Sequence, residues 1–167
     1  MPTTIPQFGL EQVAHQSEIN ATATILATLA FLKQRQIAGS DWISFMGATF
    51  AASWQPIQDD GPQKALELIA LDMVSIGAKI VAFSVNIENS QAEAVFENWP
   101  DPALLAMFNL SVPEAFDFMQ IFASLAKHIG LGYIAKLELK ENKTGLFDTT
   151  LPTGSEGWQV RVRVWKE

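Results

Sequence analysis

Apolar residues along this chain recur with two different periods, which divide it into helices and strands. Ile19, Ile25, Leu26, Leu29 and Leu32 fall at helical spacing and predict a first helix from about Ser17 to Gln36, stopped by Gly39. A second starts at Ser40 or Asp41, either a good N-cap, and stops before Pro56. Trp42, Phe45, Met46, Phe50 and Trp54 give it a large apolar stripe. Ser44, Gly47, Ala48 and Ala51 give it a face small enough for another backbone to approach closely. Residues 1–16 show little pattern and read as an N-terminal arm or a short extra element.

Two similar units follow. The first opens at Asp60-Gly61-Pro62, with proline in the first turn where its missing N–H costs little. Leu66, Ile69, Ala70, Met73 and Val74 repeat as one helical face up to Gly77. Strict alternation then predicts a strand with Val81, Phe83, Val85 and Ile87 on one side and Ala82, Ser84 and Asn86 on the other. Glu88-Asn89-Ser90 turns the chain into a second strand, Gln91 to Trp99, broken by Pro100-Asp101-Pro102. After a short helix at about 102–108, Ser111-Val-Pro-Glu114 is a capping box. Ala115, Phe118, Met119, Phe122, Leu125 and Ala126 are the apolar face of the helix it starts, and Gly130 ends it. Tyr133, Ala135, Leu137 and Leu139 alternate with Ile134, Lys136, Glu138 and Lys140. Trp158, Val160, Val162 and Val164 alternate with Gln159, Arg161, Arg163 and Trp165. The connection from Glu141 to Gly157 is long for a hairpin.

Helix–strand–strand written twice predicts an α+β domain: a four-stranded antiparallel sheet with one face under the two unit helices. Val81, Phe83, Val85, Leu137 and Val162 specify the covered face. The two N-terminal helices add a layer or build a dimer interface. The whole of 1–167 reads as one domain, with the helical pair at 17–56 and the units at 60–99 and 111–166. At an offset of 53 residues Ile76-Gly77 matches Ile129-Gly130, but identities are few. Duplication and convergence on helix-stop chemistry both stay open.

Composition narrows the function more by exclusion than by pointing. Only 17% of residues are charged and 49% are apolar, which is globular rather than disordered. No apolar run reaches the ~18 residues of a membrane span, and Met1-Pro-Thr-Thr lacks the basic start of a signal peptide, so the cytoplasm is the expected compartment. The absence of cysteine excludes disulfides, thiolate metal sites and thiol nucleophiles. The net charge is −7; 13 of the 18 acids lie before Lys127, and 7 of the 11 bases lie from Lys127 onward. That acidic body argues against nucleic-acid binding, which needs a coherent basic footprint. The basic positions Lys136, Lys140, Lys143, Arg161 and Arg163 read as a solvated sheet edge or face.

Few residues could carry chemistry. With only His15 and His128, a histidine-based triad has few parts. Glu11, His15 and Glu18 fall at i, i+4, i+7, but three ligands on one helix seldom close a metal site, and no metal or other cofactor is expected. Gly130-Leu131-Gly132 follows a helix and precedes a strand, the reverse of a phosphate-binding loop. Asp72 and Asp117 are the carboxylates that an apolar setting could tune. The aromatic content is more suggestive, with eleven phenylalanines and five tryptophans. Trp42, Phe45, Phe83, Phe118 and Phe122 come from elements expected to meet. They could line an apolar pocket between sheet and helices, with Tyr133, His128, Asn86 and Ser84 as its nearest polar groups.

The order of elements, and the stretch Phe122-Ala-Ser-Leu-Ala-Lys-His-Ile-Gly-Leu-Gly-Tyr-Ile-Ala-Lys-Leu-Glu-Leu139, resemble the ligand-binding domains of the vinyl-reductase-like and haem–nitric-oxide-binding group over about residues 60–167. The resemblance implies a sensor or carrier for an apolar small molecule. The haem branch carries Tyr-x-Ser-x-Arg, whereas here Tyr133 is followed by Ala135 and Leu137, so haem is not implied. Three readings follow. One is a non-catalytic binding or sensor module for a small apolar molecule, and another a homodimerising interaction subunit built on the N-terminal helices. The third is a hydrolase-type enzyme working through carboxylates.

Overall fold

The computed structural model describes residues 9–52, 60–86, 88, 90–97, 99–129, 131–141 and 157–167. Five helices and four strands follow in the order α1 (Leu10–Gln34), α2 (Gly39–Ala51), α3 (Pro62–Ser75), β1 (Lys79–Asn86), β2 (Gln91–Glu97), α4 (Pro102–Met107), α5 (Val112–His128), β3 (Tyr133–Glu141) and β4 (Trp158–Lys166). The α+β architecture and the four-stranded antiparallel sheet read from the sequence are both present. The strand order is β1-β2-β4-β3, so the two hairpins join through their second strands and leave β1 and β3 as edges. No helix among the described residues is long and apolar enough to cross a membrane.

One face of the sheet meets α3 and α5. Ala92, Ala94 and Phe96 of β2 stand beside Val164, Val162 and Val160 of β4, and these stand beside Ala135, Leu137 and Leu139 of β3. Leu66, Ile69 and Met73 of α3 and Met119 of α5 close over them, with Phe96, Val162 and Val164 almost wholly buried. Packing at this density is what excludes water from the apolar layer.

β1 departs from the expected alternation. Its register slips between Ile80 and Ala82, so Ile80, not Val81, shares the covered side with Phe83 and Val85. The extra residue of a bulge resets which side chains face the core. α3 covers this edge less fully than it covers β2 and β4. Phe83 is 41% exposed and Val85 40%, whereas Val162 on a central strand is 0%.

The outer face is not simply solvated. Val95, Glu97 and Gln159 are buried there, with the Gln159 amide donating to Glu97 at 3.5 Å and Lys79 3.5 Å from the same carboxylate. Beside them Arg161 and Arg163 each lie 3.5 Å from Glu93, Arg163 bonds Glu138, and Lys136 sits 3.1 Å from Glu138. Lys136, Arg161 and Arg163 of the C-terminal strands thus sit in a lattice with carboxylates of their own face. The Lys136 and Arg163 hydrogen bonds hold the Glu138 carboxyl below its ordinary range.

Helix ends explain where sequence and structure differ. α1 begins at Leu10, so residues 10–16 belong to the helix and not to an arm. It stops before Gly39. Gln36 takes the left-handed conformation at φ +55°, its N–H donates to the Lys33 carbonyl, and that of Ile37 donates to the Leu32 carbonyl. This paired closure satisfies the orphan carbonyls without glycine. Asn109 ends α4 in the same way, and so does Gly77 after α3, as expected there. α2 starts at Gly39 with no side-chain cap, one residue or more before the expected Ser40 or Asp41. The Ser111–Glu114 capping box is formed as read. Trp54, Ile87, Gly130 and Lys143 lie outside the described residues.

Candidate functional site

α2 and α5 are the closest pair of helices. A Cβ on Gly47 would lie 2.3 Å from the Ser124 hydroxyl and 3.0 Å from the Leu125 backbone nitrogen. The small face of α2 therefore does admit another backbone, that of α5 in the same chain. This contact turns the large stripe of α2 partly inward. The Trp42 ring lies 5.6 Å from Phe118, and Phe118 lies 6.0 Å from Trp99. Such tilted pairs contribute about 0.5–1.5 kcal/mol beyond the area they bury.

The C-terminal half of α1 packs over this pair through Thr22, Leu26, Leu29 and Leu32. The Thr22 hydroxyl donates to the Ile76 carbonyl at 2.8 Å, tying α1 to the end of α3. Lys33 pairs with Glu114 at 2.7 Å, tying it to the start of α5. Hydrogen bonds from Lys33 and from the Ser111 backbone pull the Glu114 carboxyl down to about 2.

Where α1, α2, α3 and α5 converge they leave an open cleft of about 260 Å³. Phe118, Ile121, Phe122 and Leu125 of α5 line it, opposed by Ile25 of α1, Phe50 of α2 and Ile76 beyond α3; Asp72 and Ser75 supply the polar rim. An apolar wall with a few polar groups at its mouth is the usual make-up of a small-molecule site.

The seven residues singled out from the sequence are dispersed. Phe118 and Phe122 line this cleft, and Trp42 packs behind Phe118. Phe45 is 66% exposed on the outer side of α2, and Phe83 lies on the β1 edge. Tyr133 is buried, where its hydroxyl accepts the Gly61 N–H at 2.9 Å and Lys166 stands 5.8 Å over its ring. His128 lies in a separate groove between α2 and α5, with Ser40, Ser44, Asp117, Gln120 and Lys127. Its Nδ1 lies 2.8 Å from the Ser124 carbonyl. Partial desolvation and the nearby Glu114 charge push the Asp117 carboxyl up. Ser84 and Asn86 face the side of the sheet away from the helices, with Glu93 and Gln91.

Sequence reasoning placed a pocket between sheet and helices, whereas the cleft lies among the helices. Ile25 and Leu125 were legible only as core residues, Ile76 only as part of a helix stop, and Ile121 was not singled out, because helical periodicity does not tell a packed face from one that borders a gap. Glu11, His15 and Glu18 line a groove between α1 and the end of α3, but among the described residues no group of histidine and carboxylate side chains could hold a metal ion. Comparison with protein-family models, with curated proteins and with solved structures finds no match to this chain.

Proposed function

We propose that this protein is a non-catalytic binding module for a small apolar molecule, held in the cleft among α1, α2, α3 and α5. The observation that carries the reading is the wall of Phe118, Ile121, Phe122 and Leu125 on one helix, facing Ile25 and Ile76 across about 260 Å³. An apolar cavity of ~150 Å³ takes up a benzene-sized molecule, so this volume suits one or two rings or a short branched chain. Asp72 and Ser75 at the rim would orient a ligand that carries one hydrogen-bond donor. Each buried methylene releases ~0.8 kcal/mol, and association costs offset part of the total, so micromolar affinity is the expected scale.

The reading is tested by native mass spectrometry of protein purified from its host, joined to a thermal-shift screen of aromatic and lipid compounds. A bound small molecule, or a stabilising hit that Ile121→Trp abolishes by filling the cleft, is the expected result. A clean apo mass with no hit would refute it.

A further inference from the structure

The two edges of the sheet are built differently. β3 alternates charge along its outer side, with Lys136, Glu138 and Lys140, a common way to discourage further strand pairing. β1 has no such guard: after its first residue, Lys79, it carries no charged residue through Asn86, and the next charge along the sequence is Glu88. Its apolar side chains are also left uncovered, with Ile80, Phe83 and Val85 all about two-fifths exposed on one side of the strand. An apolar edge strand, uncharged beyond its first residue and with no neighbouring strand on its outer side among the described residues, is a template for another strand.

We propose that β1 pairs antiparallel with β1 of a second copy of this chain, joining two four-stranded sheets into one of eight. Charge complementarity selects this occupant and this direction. Antiparallel self-pairing centred on Phe83 sets the two phenylalanines against one another across a two-fold axis and, across the bulge, Val85 beside the partner's Ile80 on the same face. It also brings Lys79 to the end of the partner's β1, next to the turn that holds the partner's Glu88, twice over by symmetry. Lys79 is three-quarters exposed, and its contact with Glu97 is 3.5 Å, so its ammonium can reach both carboxylates. Parallel pairing would instead set Lys79 beside the partner's Lys79. A two-fold contact of one patch with itself is the commonest route to a dimer.

The full chain has no cysteine, which makes the test direct. Ala82→Cys, Phe83→Cys and Ser84→Cys are compared under mild oxidation, with mass by analytical ultracentrifugation in parallel. The expected result is a species of twice the 18.4 kDa chain mass and fastest disulfide capture at position 83. Glu88→Lys should weaken the dimer at least tenfold, and Lys79→Glu combined with it should restore most of the loss. Circular dichroism of each variant confirms that the fold is kept. A wild-type chain that stays monomeric at hundreds of micromolar overturns the proposal. So does a dimer insensitive to Phe83→Glu, or one lost only on Leu10→Glu with Val13→Glu, which would place the contact on the exposed start of α1.

Discussion

The indole N–H of Trp158 donates to the backbone carbonyl of Trp99 at 2.9 Å, tying the start of β4 to the segment that follows β2. Both rings are buried, yet the indole nitrogen of Trp99 itself has no hydrogen-bond partner among the described residues. The two tryptophans are thus opposite cases of the same chemistry. A made bond to a buried carbonyl is lost with its donor, whereas a buried donor left unmade already costs about 1–3 kcal/mol. Trp158→Phe should destabilise the fold by about 1–2 kcal/mol, and Trp99→Phe should be close to neutral. Urea unfolding of both variants measures the difference; equal losses would contradict it.

Gly47 is required by the approach of α5 and not by its own backbone. Gly47→Ala places a methyl within reach of the Ser124 side chain and should cost about 1–3 kcal/mol by overpacking. Ser124→Gly removes the side-chain atoms it would meet, so the double variant should lose less than the sum of the two singles. A double-mutant cycle with additive losses would show that the two positions do not share the contact.

Glu114 ties acid stability to the joint between α1 and α5. Its carboxyl falls from an ordinary 4.5 to about 2 through hydrogen bonds from Lys33 and the Ser111 backbone. A depressed carboxylate stabilises the fold above its unfolded pKa, and that stabilisation is lost as pH falls through the folded one. Because Lys33 is 48% and Glu114 37% exposed, solvent screening holds the effect to about 1 kcal/mol. Glu114→Gln keeps an acceptor for the capping box while removing the charge. The variant should therefore be less stable than the wild type at pH 7 and converge with it between pH 4.5 and 2. A stability gap that persists at pH 2 would assign the effect to the cap alone.

Thr22 sits almost fully buried inside α1 with its hydroxyl on the Ile76 carbonyl. Thr22→Val keeps the shape and removes the donor, which should cost about 1 kcal/mol or more and loosen α1 from the end of α3. Hydrogen exchange should then rise in the C-terminal half of α1 and leave β2 and β4 protected.

Much of the scaffold was legible in the sequence because it rests on local rules. Val160, Val162 and Val164 alternate with Gln159, Arg161 and Arg163, and Ser111 with Glu114 states its own cap. Strand order was not legible, since β2 and β4 meet across some sixty residues of intervening chain and no local pattern records that pairing. The bulge in β1 was invisible for the same reason: the run Lys79–Asn86 alternates without interruption on paper, and only β2 reveals the extra residue. Gln36 as a helix stop was missed because a non-glycine left-handed residue has no compositional mark. The candidate cleft was half legible. Phe118 and Phe122 stood out as aromatics, whereas the gap in front of them depends on how far α1 and α2 stand off, which is set by Gly47, Ser124 and Thr22.

The strand order has a consequence for the timing of folding. β4, at 158–166, lies between β2 and β3 and supplies the three valines at the centre of the core. Until those residues exist, the β1–β2 hairpin and β3 have no common neighbour, and α3 lacks one of the strands it covers. The sheet therefore cannot be completed in chain order; its two halves join only when β4 is present. Nascent chains halted before residue 158 should leave α3 more open to protease than chains extended past residue 166.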